Sequence, residues 1–208
     1  MKFPIAVLAI AALVAACAHR PDSTAPAAYS VDTQQSALHF VTTKAGLPGA
    51  GGISEVSRFS RFSGALGSNG RITLEVDLAS VETGVGIRDE RLRTMLFNVV
   101  AAPKATFAAQ LDAAQIGAII ASTSNTLRDL DLNGTLTLAG QTLPVNAKLR
   151  VSRMEGGSLQ VATLAPIVVD ANQFGLKAGV EALREVVGLN FLAAAAPVTF
   201  TIMLHAQR

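Results

Sequence analysis

From Tyr29 onward, hydrophobic and polar residues alternate along most of the chain. Leu130 and Leu132 alternate with aspartate and asparagine, and Leu136 and Leu138 alternate with threonine. Because successive side chains of a β-strand point to opposite faces, this spacing predicts strands with one buried face. The same reasoning predicts further strands at residues 37–44, 59–66, 72–78, 105–111, 143–152, 158–170 and 196–206.

Two Asn-Gly pairs lie between runs of alternating residues. Both residues of such a pair tolerate the positive φ angles of a type I′ turn, which is the tightest connection between antiparallel strands. We therefore predict that Asn133-Gly134 joins strands at 129–132 and 135–138. Asn69-Gly70 is predicted to join the strands on its two sides in the same way.

The number of strands predicts the fold class. About eight antiparallel strands can close into a barrel that has room for one small ligand. Helical spacing of apolar residues is brief and occurs at 88–97, 113–121 and 179–187. With no internal repeat and no second domain, we predict a single all-β domain over residues 29–207: an eight-stranded antiparallel barrel with short helical insertions.

The N-terminus carries an apolar run with Lys2 as its single charge. A helix needs about 20 apolar residues to cross a bilayer, so residues 1–16 are too short and instead predict a secretory signal peptide. Residues 17–28 are rich in alanine, proline and small polar residues, which is typical of a flexible tether.

Cys17 is the only cysteine and directly follows Leu-Val-Ala-Ala. This arrangement resembles the bacterial lipobox, in which the cysteine becomes an acylated N-terminus. The alternative is an ordinary signal peptide cleaved after Ala18. We expect lipidation at Cys17, and therefore a periplasmic protein tethered to a membrane. By analogy with known lipoproteins, alanine after the cysteine favours the outer membrane.

Composition excludes several function classes. The chain has 17 Lys+Arg and 15 Asp+Glu with no block of like charge, so it lacks the basic surface that nucleic-acid binding requires. A single cysteine provides neither a disulfide framework nor a cysteine-based zinc site. The three histidines, at positions 19, 39 and 205, are not at metal-ligand spacing, so we predict no metal or catalytic site. A binding protein is favoured over an enzyme.

One motif has a competing interpretation as a calcium loop. Asp129-x-Asp131-x-Asn133-Gly134 matches the opening of an EF-hand loop, but the twelfth position, which should be a bidentate glutamate, is Gly140. The alternating leucines favour a strand hairpin instead.

Arg88 opens the densest charged stretch, residues 88–93. The simpler interpretation is the exposed start of a helix, with the acidic residues near its positive N-terminal dipole. The alternative interpretation places Arg88 at the mouth of a cavity, facing an anionic headgroup.

A series of short motifs extends over nearly the whole chain after residue 28. The motifs are Tyr29-Ser30-Val31-Asp32, Ser36-x-Leu38-x-Phe40, Phe59-x-x-Phe62-x-Gly64, Ser80–Thr83, Arg88-Asp89-x-x-Leu92, Phe97, Pro103–Phe107, Gly134–Gly140, Pro144-Val145 and Asn172-x-Phe174-Gly175-Leu176. In their order and spacing, these motifs resemble the YceI-like family of lipid- and polyisoprenoid-binding proteins.

The resemblance implies an extended, lipocalin-like barrel, exported to the periplasm, with a long apolar tunnel for an isoprenoid or similar lipid chain. The chain departs from the family pattern at Lys44 and Arg91, where the family often has histidine, and at Ala102, where it often has an aromatic residue. A helix within 177–190 is an elaboration on the common core. These departures affect the ligand more than the barrel.

Apolar strand positions inside the family motifs are the candidate cavity wall. Each of them also has a simpler interpretation, as ordinary core packing. Thr42 and Lys44 share a strand face with two of them, and Lys44 is expected near an end of the tunnel because a charge cannot lie in its middle without a partner. The apolar candidates are Leu38, Phe40, Phe107, Leu136, Leu138 and Phe174.

We therefore expect a binding protein for a polyisoprenoid, a quinone tail or a fatty acyl chain, without catalytic residues and without a cofactor other than this ligand. Two alternatives stay open. The first is a ligand-free interaction module with a filled barrel, and the second is a lipid hydrolase, for which the sequence has no G-x-S-x-G elbow. A homodimer is also left open.

The lipobox interpretation makes a direct prediction for Cys17. The mature protein should begin at Cys17, carry acyl chains and partition into detergent, because acyl chains supply the membrane affinity. Cys17→Ala should leave the chain uncleaved at that site or release it in soluble form. Intact-protein mass spectrometry checks this, and a mature mass that begins after Ala18 without acyl groups would contradict it.

Overall fold

The computed structural model describes residues 29–49 and 51–207, so the predicted signal peptide, Cys17 and the tether lie outside the described residues. The described strands are β1 (Tyr29–Ala45), β2 (Ile53–Phe59), β3 (Phe62–Leu66), β4 (Arg71–Asp77), β5 (Val81–Glu82), β6 (Lys104–Gln110), β7 (Leu127–Leu138), β8 (Gln141–Arg153), β9 (Leu159–Thr163), β10 (Ile167–Asp170), β11 (Phe191–Leu192) and β12 (Ala195–Ala206). The described helices are α1 (Gly86–Arg91), which continues as a π-helical turn over Leu92–Leu96, α2 (Ala113–Ile120) and α3 (Lys177–Val186).

The strands close into an antiparallel barrel. Strand β1 pairs with β12 on one side and with β3 and then β2 on the other. The remaining wall runs through β3, β4, β6, β7, β8 and β9 to β12, and β10 extends β9 along β12. Counting β2 with β3 and β9 with β10 as interrupted strands gives eight positions in the wall. The predicted all-β, eight-stranded, lipocalin-like barrel with short helical insertions is confirmed.

Strand β1 is long enough to define two ends of the molecule. At its start, Tyr29 pairs with Leu66 and Ala206. Helix α2 begins near the same end, where the Leu111 N–H donates a hydrogen bond to the Gly70 carbonyl oxygen. We call this the Tyr29 end. At its finish, Ala45 pairs with Phe191 and lies beside the chain that leaves α3. We call this the Ala45 end.

A bulge interrupts the pairing of β1 with β12 between Asp32 and Ala37. The Asp32 carboxylate accepts hydrogen bonds from the backbone N–H groups of Gln34 and Gln35, and Ser36 Oγ accepts one from the Met203 N–H. These bonds satisfy backbone groups that the ladder leaves unpaired, so β1 can bend along the barrel without leaving the sheet.

The predicted turn at Asn133-Gly134 is wrong. Both residues lie inside the continuous strand β7, and the tight turn to β8 is Ala139-Gly140, with φ angles of 50° and 81°. Gly134 faces the barrel interior, where a Cβ would lie 2.6 Å from Cε2 of Phe107 and 2.7 Å from the Ala108 carbonyl oxygen. The glycine is therefore required by the close approach of the neighbouring strand and not by a turn.

The second Asn-Gly pair does lie in a hairpin. Strands β3 and β4 are antiparallel and are joined by Gly67–Gly70. Gly70 takes the positive φ of 83°, while the Asn69 side chain accepts a hydrogen bond from the Arg71 N–H. The predicted connection between the two strands is confirmed, but its loop is four residues long and not the two-residue type I′ turn that was predicted.

The aspartates of the alternative calcium motif lie on the outer face of β7. Asp129 pairs with Arg150 and Asp131 pairs with Lys148 on the neighbouring strand β8. These are cross-strand ion pairs on a solvated sheet face, so the strand interpretation of this segment holds.

The predicted strand over 158–170 is interrupted. Residues 164–166 separate β9 from β10, and Pro166 has no N–H to donate to the ladder. The three predicted helices at 88–97, 113–121 and 179–187 correspond to α1 with its π-helical turn, α2 and α3. Among the described residues, no helix combines the length and apolarity needed to cross a membrane.

The position of Gly134 against Phe107 yields a stability prediction. Gly134→Val should lower the free energy of unfolding by about 1–3 kcal/mol, because an overpacked core forces side chains and backbone to move. Gly134→Ala should lower it by less. The matched control is Gly117→Ala in α2, where a Cβ meets nothing within 4 Å. Urea unfolding measures all three, and a Gly134→Ala variant as stable as the control would contradict this packing argument.

Candidate functional site

A long apolar cavity runs through the barrel. Its volume is about 320 Å³, and its wall comes from both core clusters, one at each end of the molecule. The lining side chains are apolar except for Thr42 and Thr73, and no charged side chain of the described residues lines it. A cavity of this kind lacks the convergent polar groups that orient a polar substrate, so its chemistry suits an apolar chain.

Strand β1 forms one wall of the cavity. Leu38 and Phe40 point inward and are 6% and 8% exposed, and Thr42 follows on the same face. The rings of Phe40 and Phe59 are 5.2 Å apart, and those of Phe59 and Phe97 are 6.1 Å apart. Phe40 and both partner rings line the cavity. The period of two along β1 therefore gives the correct inner face.

The opposite wall comes from β6 and β7. Phe107 pairs with Leu136 across these strands, and both residues line the cavity together with Leu138. The side chain of Phe107 reaches over Gly134, whose missing side chain leaves room for the ring. Of the predicted apolar wall residues, five therefore line the cavity: Leu38, Phe40, Phe107, Leu136 and Leu138.

Phe174 does not line the cavity. It is buried at 3% exposure among core residues near the Ala45 end, after a turn in which Gly175 has a φ of 74°. The lining at this end is instead supplied by helices, with Leu92 and Leu96 from the π-helical turn and Leu183 from α3. The sequence motif around Phe174 indicates core packing at this position, the simpler of its two interpretations.

A cluster of three charged side chains lies where the cavity wall ends at the Ala45 end. Lys44 Nζ is 2.8 Å from Oε2 of Glu55, and Arg88 donates to the same oxygen. Glu55 is the direct partner of Thr42 across β1 and β2, so its carboxylate is on the inner face just beyond the lining. The two predicted headgroup candidates, Lys44 and Arg88, are thus brought together by a residue that the sequence analysis did not select.

Helix α1 holds Arg88 in this position. The Arg88 Nε donates to Oγ1 of Thr83, and its Nη2 donates to the Thr83 carbonyl oxygen. The same Thr83 donates from its backbone N–H and its hydroxyl to the Asp89 carboxylate. Arg88 is 28% exposed and therefore belongs to the cavity mouth rather than to a freely solvated helix start.

The cluster carries one net positive charge, since two cations share one carboxylate. The hydrogen bond from Lys44, together with the charge of Arg88, lowers the pKa of Glu55 below its ordinary value of 4.5, although partial burial opposes this. The carboxylate therefore stays ionised at neutral pH. A period of two counted back from Phe59 through Ser57 would have placed Glu55 on the inner face and required a cationic partner for it.

A hydrogen-bonded series of serine, histidine and aspartate lies on the outer face of the barrel. Ser158 Oγ is 2.9 Å from Nδ1 of His205, and Nε2 of His205 is 3.2 Å from Oδ2 of Asp32. The Asp32 carboxylate is engaged by backbone N–H groups of the bulge, and these hydrogen bonds lower its pKa. The series therefore ties β9, β12 and the bulge of β1 together.

Side chains that could bind a metal ion do not cluster within residues 29–49 and 51–207. No group of three or more histidine, cysteine, aspartate or glutamate side chains in this part of the chain is arranged to hold an ion. His39 and His205 lie on strands of the barrel wall, at different positions along β1 and β12.

The arrangement of barrel, apolar cavity and motif residues agrees with a comparison of the sequence with known families. The sequence model of the YceI-like domain matches residues 29–204, which is nearly all of the described chain. The chain belongs to the YceI-like family. The matched range contains all the short motifs, from Tyr29-Ser30-Val31-Asp32 to Asn172-x-Phe174-Gly175-Leu176, on which the resemblance rested.

Solved structures share this YceI-like fold. A polyisoprenoid binding domain from Saccharophagus degradans, implicated in plant cell wall breakdown, aligns with a TM-score of 0.80 at 30% identity, over 87% of this chain and 99% of that one. Burkholderia cenocepacia BcnA aligns with a TM-score of 0.58 at 16% identity, over 83% of this chain and 98% of that one, which shows the fold alone. Among curated proteins, none matches the chain.

The ion cluster at the mouth predicts a pH dependence of stability. A carboxylate whose pKa is lowered by folding stabilises the fold above its unfolded pKa, and this stabilisation is lost as the pH falls through the folded pKa. Wild-type protein should therefore lose more stability below about pH 4.5 than Glu55→Gln does, since 4.5 is the ordinary pKa of the group.

Lys44→Met should keep the fold and show an intermediate loss on acidification, because Arg88 still faces Glu55. Urea unfolding between pH 3 and pH 7 measures these differences, with the range chosen to bracket the glutamate pKa. Parallel pH curves for the three proteins would contradict the ion cluster as a stabilising feature.

Proposed function

We propose that the chain is a periplasmic binding protein that encloses one long apolar chain in its barrel, for carriage or storage of a lipid in the cell envelope. A polyisoprenoid, a quinone tail or a fatty acyl chain fits the chemistry of the cavity. The function is binding, with no reaction performed on the ligand.

The observation that carries this proposal is a barrel whose own side chains do not fill it. The side chains around an empty apolar cavity lose van der Waals partners, so a cavity of about 320 Å³ is unfavourable when nothing fills it. A filling ligand would offset the cost, which explains why the chain can have such an interior.

The apolar wall favours affinity more than selectivity. Each buried methylene contributes about 0.8 kcal/mol, so a long chain has a large gross gain, from which the ordering of the chain subtracts. The free energy of non-covalent binding does not exceed about 18–21 kcal/mol in magnitude for any ligand. Selectivity must therefore depend on the length of the cavity and on the few polar groups at its mouth, which are Thr42 and the cluster of Lys44, Glu55 and Arg88.

The relatives support the class of ligand. The solved domain from Saccharophagus degradans, which is 30% identical to this chain, is described as polyisoprenoid binding. Five of the apolar positions selected from the sequence line the cavity of this chain. We propose an isoprenoid as the first ligand class to test.

The location rests on the N-terminal sequence. The apolar run of residues 1–16 and the lipobox-like position of Cys17 support export and acylation. We propose that the barrel is held at a membrane of the envelope, most simply the outer membrane, by acyl chains on Cys17.

A ligand-free interaction module is the competing function. It would require a barrel interior packed to the density of an ordinary protein core. The cavity inside this barrel does not favour that function. The Ser158–His205–Asp32 series does not favour a hydrolase either, because it lies on the outer face and holds a strand bulge.

Mass spectrometry of organic extracts tests the proposal on protein purified from its native membrane. Wild-type protein should release a long-chain lipid in amounts comparable with the protein. Phe40→Asp should abolish this retention and weaken the fold, because a carboxylate cannot be solvated at that buried position. Val56→Asp, at an exposed position on the neighbouring strand, is the matched control and should retain the lipid.

A second variant separates loss of binding from loss of folding. Ala147 lines the cavity and is 4% exposed, so Ala147→Phe fills the space with apolar atoms. It should lower the amount of retained lipid while the protein stays folded by circular dichroism. Wild-type protein without extractable lipid, or Ala147→Phe with undiminished lipid, would refute the proposed function.

A further inference from the structure

Exposed apolar side chains are concentrated at the Ala45 end. Six large ones, each 45–71% exposed, come from three parts of the chain: the connection from β1 to β2, the start of α1, and the connection from α3 to β11. We call them the apolar rim: Leu47, Ile53, Val85, Ile87, Val187 and Phe191. Monomeric soluble proteins rarely expose large apolar groups together unless the surface has a binding partner.

Backbone contacts show that these segments meet around the cavity mouth. Lys44 pairs with Ile53 on one side and with Leu192 on the other, and Phe191 pairs with Ala45. The Asn190 N–H donates to the Ala45 carbonyl, which brings the chain leaving α3 to the same place. Ile87 immediately precedes Arg88, whose guanidinium reaches Glu55.

The Tyr29 end has a different surface. Among the described residues there, Leu127 at the start of β7 is the large apolar side chain that stands exposed. Helix α2 closes this end with Ile119 buried inside, and its Asp112 and Gln115 form a capping box at the solvated N-terminus. Large apolar side chains are also exposed outside the rim, at Val56, Val100, Leu164, Val168 and Val186, so the contrast in apolar exposure holds between the two ends and not against the whole remaining surface.

The chemistry of the rim matches a phospholipid surface. A surface that enters a bilayer interface combines protruding apolar groups with cations at the level of the phosphates. Behind the rim, Lys44 and Arg88 share the single carboxylate of Glu55, which leaves one net positive charge. A second copy of the chain would instead cover the rim with the same rim of its partner, an arrangement that doubles the molecular mass and is therefore separated from bilayer docking in the test below.

We propose that the apolar rim docks the mouth of the barrel onto a phospholipid bilayer, so that an apolar chain passes between the bilayer and the cavity without crossing water. The proposal rests on the proposed function. The cavity lining reaches Thr42, which is directly paired with Glu55, so the path from the rim to the cavity is short.

The absence of tryptophan from the sequence makes a site-specific test simple. Single tryptophans are introduced into the full chain as Phe191→Trp or Ile87→Trp at the rim, and as Leu127→Trp at the other end as the matched exposed control. Each purified protein is mixed with vesicles of phosphatidylcholine and phosphatidylglycerol, with or without bromine atoms in the acyl chains. The wavelength of tryptophan emission and its quenching are measured, and light scattering on the protein without vesicles gives its molecular mass.

The rim tryptophans should shift to shorter wavelength and be quenched by brominated lipid, while Leu127→Trp should not be quenched. Adding Ile87→Asp to Phe191→Trp should abolish the quenching by brominated lipid, because a carboxylate at the rim opposes its entry into the bilayer interface even when acyl chains on Cys17 hold the protein at the vesicle. Equal quenching at both ends, or none at the rim, would overturn the proposal. A shift without vesicles that accompanies a doubled mass would overturn it in favour of a second copy.

Lipid retention is measured on the same protein samples, so failure of the docking proposal can be distinguished from failure of the proposed binding function. A wild-type protein that retains an extractable lipid but shows no quenching at the rim loses the docking proposal and keeps the binding function. A protein that docks through the rim but never retains a lipid loses the binding function.

Discussion

The structure depends on a single long strand that pairs along both of its edges. Strand β1 holds β12 on one side and β3 and β2 on the other, and this pairing closes the barrel. Closure fixes an inside and an outside for every strand. Once the inner face of β1 carries Leu38 and Phe40, the alternation of the other strands must supply apolar residues on the same side.

Closure also explains why charge appears where it does. An ionised group inside the barrel would lose its hydration, so the inward charges of β1 and β2 occur where the wall of the cavity ends, and there they are paired. Glu55 follows the inner-face register of β2 and is met by Lys44 from β1 and by Arg88 from α1. The same end carries the exposed apolar side chains. The mouth thus differs from the Tyr29 end in the number of its exposed apolar side chains.

The sequence predicted the barrel wall better than its connections. Alternation located most strands and five of the residues that line the cavity, because a period of two is a local property of the chain. It failed at Asn133-Gly134, since a glycine that makes room for Phe107 from the next strand has the same local signature as one in a turn. The real turn at Ala139-Gly140 has the weaker local signal.

What the sequence by itself determined is the fold class, the family and the inward face of the strands, all of which follow from spacing along the chain. Only the tertiary structure decided that Phe174 packs in the core, that helices supply one end of the cavity, and that Glu55 joins Lys44 to Arg88. Each of these features is formed by residues that lie far apart in sequence. The positions of such residues relative to one another are fixed when the strands close into a barrel, and no local pattern encodes them.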